Sequence, residues 1–249
     1  ANIGFAVTTK VLPLSEGIRP LQFEIKFSQT INSFTPEQMN RVIGVSYTTA
    51  KGWSDPLSLE PAFSFSIGGV AATYSTAVNT SQKTVRLLVK LDKGAPESVA
   101  YNEAIHGINI ETEHPVFRFN LKTNSELGLA VYKEFIKSIN YIETKVHVSG
   151  MRNLKLDNDQ GGLNPKKPIS PFTNIPVKGS SFSVFNEEVF SKKWARTEVQ
   201  IGWKNAPENF SVWYQAYRAQ FQVNFSPISY SDSYDETTNL FKTVGSGSS

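Results

Sequence analysis

Residues 164–177 read Asn-Pro-Lys-Lys-Pro-Ile-Ser-Pro-Phe-Thr-Asn-Ile-Pro-Val, and this run restricts the fold more than any other. Pro165, Pro168, Pro171 and Pro176 place four prolines in twelve residues. Each fixes φ and removes an N–H donor, so neither a regular helix nor a central strand can pass through. A flexible linker would be rich in Gly and Ser. Here Leu163, Ile169, Phe172, Ile175 and Val177 are interleaved with the prolines. The expectation is a stiff, ordered loop, with these apolar side chains packing on something.

The elements around it are β-rich. Leu21 to Phe27 alternates apolar and polar residues, as do Phe63 to Ile67, Val85 to Leu91, Phe117 to Leu121 and Thr197 to Trp203. That is the period of half-buried strands. Ile3 to Leu14, Val45 to Tyr47, Ile142 to Val148, Ser181 to Phe185 and Phe221 to Phe225 also read as strands. Thr35-Pro36-Glu37-Gln38 is a capping box with proline at the first helical position, opening a short helix to about Ile43. Glu126 to Ile139 is the strongest helix pattern, with Leu127, Val131 and Phe135 on one face and Asn124 or Ser125 as its cap. A short helical turn is expected over Glu187 to Lys192, and a helix over Asn209 to Arg218. The fold class is therefore mainly β with a few short helices, a β-sandwich-like or α+β architecture. Two consecutive antiparallel β-rich domains are expected. Residues 1–123 form the first, and residues 124–244 the second, carrying the ordered proline loop at 163–177. Residues 245–249, Gly-Ser-Gly-Ser-Ser, read as a flexible tail.

Composition narrows the chemistry. The chain has 249 residues, 39% of them hydrophobic, with 17 Phe, 9 Tyr and 4 Trp, enough for substantial cores. Cysteine is absent, which excludes disulfides, thiolate-bound zinc and thiol catalysis. The net charge of +3 is small and the basic residues are scattered among acids, unlike the basic stripe of a nucleic-acid binder. No apolar run reaches the roughly 18 residues of a membrane-spanning helix.

No catalytic constellation stands out. His106, His114 and His147 are far apart and not at the spacing of a helical metal pair. His147 falls within an alternating strand, where a solvated or hydrogen-bonded ring is the plain reading. Asp157-Asn158-Asp159-Gln160-Gly161-Gly162 resembles a calcium loop superficially. It has Gly161 at the fifth position and Pro168 at the twelfth, so an Asx turn fits better. Aromatic clusters at Phe182, Phe185, Phe190 and Trp194, and at Trp203, Phe210, Trp213, Tyr214 and Tyr217, suit core packing or an exposed contact patch. The candidate interaction residues are Pro168, Pro171, Phe172, Pro176, Phe182, Phe190 and Trp213. No cofactor, metal or catalytic residue is expected.

Val148-Ser149-Gly150-Met151-Arg152-Asn153-Leu154-Lys155-Leu156-Asp157-Asn158-Asp159 resembles the VSGLKNLxLxND run of baseplate J-like wedge proteins. These belong to contractile injection systems, phage-tail-like particles. The proline loop, the following Gly179-Ser180-Ser181-Phe182, Glu188-Val189-Phe190-Ser191-Lys192, and the Trp213-Tyr214 and Tyr217 pattern are similar to later family motifs. Ile3-Gly4-Phe5-Ala6, Lys51-Gly52-Trp53 and Tyr101-Asn102 echo it more weakly. Two departures fall in the loop region: Thr173 stands where the family has glycine, and Ser183 where it has tyrosine. The resemblance implies an internal segment of a structural wedge subunit, linking hub and spike to sheath-proximal proteins. It implies a multi-copy ring, assembled in the bacterial cytoplasm as part of a particle that can be released, without nucleic acid or membrane insertion. A carbohydrate- or receptor-binding β-module is the alternative, and it requires exposed, coplanar Trp or Tyr rings.

Overall fold

The computed structural model describes residues 3–107, 109–175, 177–202 and 204. The chain divides into a compact unit, Ala1–Glu198, and a second unit, Val199–Ser249. The expected boundary at residues 123 and 124 falls inside the first unit. The strand and helix assigned to a second domain are built into the same sandwich as the N-terminal strands. The expected helix at 209–218, the strand at 221–225 and the tail at 245–249 lie outside the described residues.

Alternation selects the inward side chains, and the ladders then assemble two four-stranded antiparallel sheets. The chain opens with β1 (Ile3–Thr8) and β2 (Arg19–Phe27), followed by α1 (Pro36–Val42) and β3 (Ile43–Thr49). Next come β4 (Gly52–Trp53), β5 (Ala62–Ile67), β6 (Val70–Ser75), β7 (Ala77–Asn79) and β8 (Thr84–Leu91). After α2 (Glu103–His106) come β9 (Val116–Leu121), α3 (Glu126–Phe135) and β10 (Ile139–Val146). One sheet has the order β1-β9-β3-β4 and the other β10-β2-β8-β7, while β5 and β6 form a separate hairpin. Leu21, Phe23, Ile25 and Phe27 of β2 and Phe117 and Phe119 of β9 are buried between the two sheets. The ring of Phe23 meets Phe119 edge-on at 5.0 Å and Phe117 at 5.6 Å, stitching one sheet to the other. Thus the mainly β, α+β expectation describes the molecule.

Local signals hold at the helix starts. Thr35 and Gln38 form the reciprocal capping box of α1, and Ser125 caps α3 through the Gly128 N–H. Val131 is buried, and Phe135 packs against Phe5 at 5.6 Å and Phe27 at 5.9 Å, so α3 closes one end of the sandwich. The expected helix, however, ends at Phe135 rather than Ile139. Ile139 pairs with Phe27 across the β10–β2 ladder, and that long-range pairing overrides its helical spacing. The expected strand at Thr197–Trp203 does not form over 197–202, and Trp203 lies outside the described residues. Val199 in this segment is 52% exposed. Likewise, the strand expected to run from Ile3 to Leu14 stops at Thr8, with a turn at Lys10 and Val11.

Candidate interaction surface

The proline loop is held by a small sheet of its own. This consists of β11 (Lys155–Asn158), β12 (Gly161–Leu163) and β13 (Phe182–Phe185), with β11 in the centre. α4 (Glu187–Phe190) follows directly. The Asp157–Gly162 run is a tight hairpin between β11 and β12. Its Asx turn is explicit: the Asn158 side-chain oxygen accepts the Gln160 N–H at 2.9 Å. Asn158 is buried, and its amide also donates to the Ser170 carbonyl in the loop at 3.1 Å. Asp159 caps the other end of the loop, accepting the Ser181 N–H at 3.0 Å and its hydroxyl at 2.6 Å. These bonds hold the Asp159 carboxyl below its ordinary range.

Within the loop, turns replace the ladder bonds that proline denies. Asn164 accepts the Lys166 N–H at 2.9 Å through its side chain. Thr173 N–H reaches Ser170 O at 3.2 Å, and Val177 N–H reaches the Ser180 hydroxyl at 3.0 Å. Thr173 has φ +71°, in the left-handed region that favours glycine. A β-branched residue therefore sits at a backbone position that favours glycine.

The five apolar loop residues divide. Leu163, Ile169 and Phe172 are half-buried, with Phe172 edge-on to Phe182 at 6.1 Å. Ile175 and Val177 do not pack as expected. They are 83% and 70% exposed. Of the candidate interaction residues, Pro168 is exposed, Pro171 half-buried, and Phe172 and Phe182 serve as internal pins. Phe190 is 51% exposed and stacks on Phe185 at 5.6 Å. Pro176 and Trp213 lie outside the described residues.

What joins this small sheet to the sandwich is the turn Leu14–Gly17. Glu188 of α4 accepts the Ser15 N–H at 2.8 Å and the Ser15 hydroxyl. Lys192 bonds Glu188 at 3.2 Å and donates to Pro13 O. Burial pushes the Lys192 ammonium below its ordinary value, and Glu188 pulls it back. Glu16 accepts the N–H groups of Arg152 (2.7 Å) and Asn153 (2.5 Å). Asn186 caps α4 and donates to Asn153 O at 2.9 Å. The turn itself is pegged into the core by Arg19, which is fully buried. Its guanidinium donates to the carbonyls of Leu14, Gly17, Asp92, Ala95 and Pro96. Gly17 has φ +84°, and a Cβ there would lie 2.3 Å from Ser149 O. Sequence reasoning missed Glu16, Glu188, Lys192 and Arg19. Glu16, Glu188 and Lys192 reach partners more than 130 residues away and Arg19 reaches carbonyls 73–77 residues on, and such contacts leave no local pattern.

The other sequence candidates are accounted for locally. His106 is buried, its ring nitrogens 3.1 Å from Thr49 O and 2.9 Å from Asn102 O. His147 stacks on Phe65 at 4.0 Å, and burial lowers its pKa. Trp53 is half-buried beneath Arg118 and donates to His106 O at 2.8 Å. Among the described residues, no group of three His, Asp or Glu side chains is placed to hold a metal. Among the same residues, no helix is long and apolar enough to cross a membrane.

Comparison with known proteins adds no relative: no family model and no curated protein matches the chain.

Proposed function

We propose that this chain is a structural wedge component of a phage-tail-like contractile particle, working through protein–protein contacts without bond chemistry. The observation that carries the reading is the left-handed backbone at Thr173. The family to which the Val148–Lys192 run is similar has glycine at that position, so the loop adopts a turn that the family's own residue favours. The turn lies in a loop fixed at both ends and apolar at its exposed tip, as a docking element requires. A stiff loop loses little entropy when it docks. In this role the chain joins neighbouring subunits in a ring between hub and sheath, and contacts rearrange when the sheath contracts.

Deleting Pro165–Pro176 tests this. Asn164 and Val177–Ser181 then remain between β12 and β13. Their reach of about 20 Å exceeds the roughly 12 Å between strands that flank a common neighbour. The deletion removes the Ser170–Asn158 and Phe172–Phe182 contacts of the small sheet but nothing of the sandwich core, so it is expected to leave the sandwich folded by circular dichroism and melting while abolishing incorporation into particles. Normal particle assembly would overturn the proposal. Tight glycan binding by the isolated chain would favour the receptor-binding alternative. Among the described tryptophans, Trp53 is half-buried under Arg118 and Trp194 is 51% exposed, so Trp194 is the ring such binding would use.

A further inference from the structure

The proline loop carries a local positive charge. The whole chain has 25 Lys and Arg against 22 Asp and Glu, an excess of three. Between Gln160 and Asn186 there are three lysines, Lys166, Lys167 and Lys178, and no acid. This stretch, the proline loop and the turn after it, therefore carries a local excess of three positive charges, as do residues 144–156 and 189–197. All three lysines are exposed, and they flank the most exposed apolar side chains of the loop, Ile175 and Val177.

We infer that this loop docks into an acidic depression with an apolar floor on a neighbouring protein. Carboxylates at the rim meet Lys166, Lys167 and Lys178, and Ile175 and Val177 enter the floor. The choice of neighbour rests on the wedge reading; the chemistry of the contact does not. The loop is poorly made for nucleic acid, because three charges neutralise few phosphates. Its aromatic residue, Phe172, is turned against Phe182 rather than free to stack on a base. It is also poorly made for a bilayer, since two branched aliphatic side chains with no exposed Trp or Phe bury little area among lipid headgroups. A protein groove suits it. The backbone is held in place before binding, and rim charges give register and on-rate while the apolar pair supplies burial.

Two measurements test this. In the first, the isolated chain is titrated with a random glutamate–leucine copolymer, with oligothymidylate and with vesicles containing phosphatidylserine. The copolymer should bind, and K166E/K167E/K178E should weaken it by about tenfold or more. The same variant should keep the wild-type melting temperature, because all three side chains are exposed. Equal copolymer binding by the variant would overturn the inference, as would tighter binding of oligothymidylate or vesicles through these lysines. In the second, assembled particles are treated with a carbodiimide, which joins lysine amines to contacting carboxylates. Lys166, Lys167 and Lys178 should join Asp or Glu of another subunit. If the chain enters particles but the triple variant assembles normally and no such joins form, the inference fails while the wedge reading stands. If the chain never enters particles, the wedge reading fails while the copolymer titration still decides the inference.

Discussion

Arg19 is the deepest support of the junction, and replacing it with methionine gives the sharpest stability test. Methionine keeps much of the volume and removes the charge and its donors. Five carbonyls then lose the guanidinium, but not equally. Leu14 O still accepts the Ser98 N–H, Asp92 O the Ala95 N–H, and Pro96 O the Tyr47 hydroxyl. Gly17 O and Ala95 O depend on Arg19 at 3.2 and 2.7 Å. Gly17 O is buried and left unpaired at a cost of about 1–3 kcal/mol, and the part-buried Ala95 O adds a smaller loss of about 1 kcal/mol. Removing a buried charge recovers some desolvation free energy. The net loss is about 2 kcal/mol. Urea unfolding followed by tryptophan fluorescence reads this directly. With a slope of about 3 kcal/mol per molar for a unit of this size, the midpoint should fall by about 0.7 M at unchanged slope. A midpoint shift below about 0.3 M would show that the five bonds are incidental, and that the Leu14–Gly17 turn is held by other means.

The remaining tests probe the junction and the loop. Gly17→Ala should cost about 3 kcal/mol, combining the left-handed backbone with a contact that forces Ser149 O away and breaks the Ile18–Ser149 bridge. A loss under 1 kcal/mol in the same urea assay would contradict the packing described. Thr173→Gly should relieve the left-handed strain, offset in part by glycine's backbone entropy, for a local gain of about 0.5–1 kcal/mol. It should therefore slow proteolytic nicking within 164–181, and faster nicking would refute the assignment of strain. The Asp159 carboxyl has its folded pKa depressed by the Ser181 bonds. Its contribution to loop order is complete above the ordinary carboxylate range and is lost as pH falls through the depressed value. Amide exchange at Ser181, corrected for intrinsic pH dependence, should lose protection on acidification below about pH 4 in the wild type but be already fast in Asp159→Ala, which removes the acceptor. Equal protection in both proteins across that range would count against the cap.

Much of the sandwich is legible in the sequence because its signals are local. Leu21–Phe27 and Phe117–Leu121 alternate cleanly, and Thr35 with Gln38 announces a helix start within four residues. Errors arise where distant pairing decides. Ile139 has helical spacing from Phe135, yet it joins a ladder to Phe27 more than 100 residues earlier. That same ladder carries β10 across the expected domain boundary. At the candidate surface, Asn158 forms the expected Asx turn, and side-chain and backbone turns run through the described part of the proline loop. The exposure of Ile175 and Val177 was not predictable, because residue type alone does not say which apolar side chains of a loop find a neighbour. The anchors at Glu16 and Glu188 read as ordinary surface acids until the fold brings them to the Arg152–Asn153 and Ser15 backbones.

A density map of the assembled particle tests the central claim most directly. At side-chain detail, residues 164–181 should lie against a different subunit, with Ile175 and Val177 covered and the Asn158, Asp159 and Glu188 tethers intact. A particle in which this loop faces open solvent in every subunit copy, before and after contraction, would contradict the account.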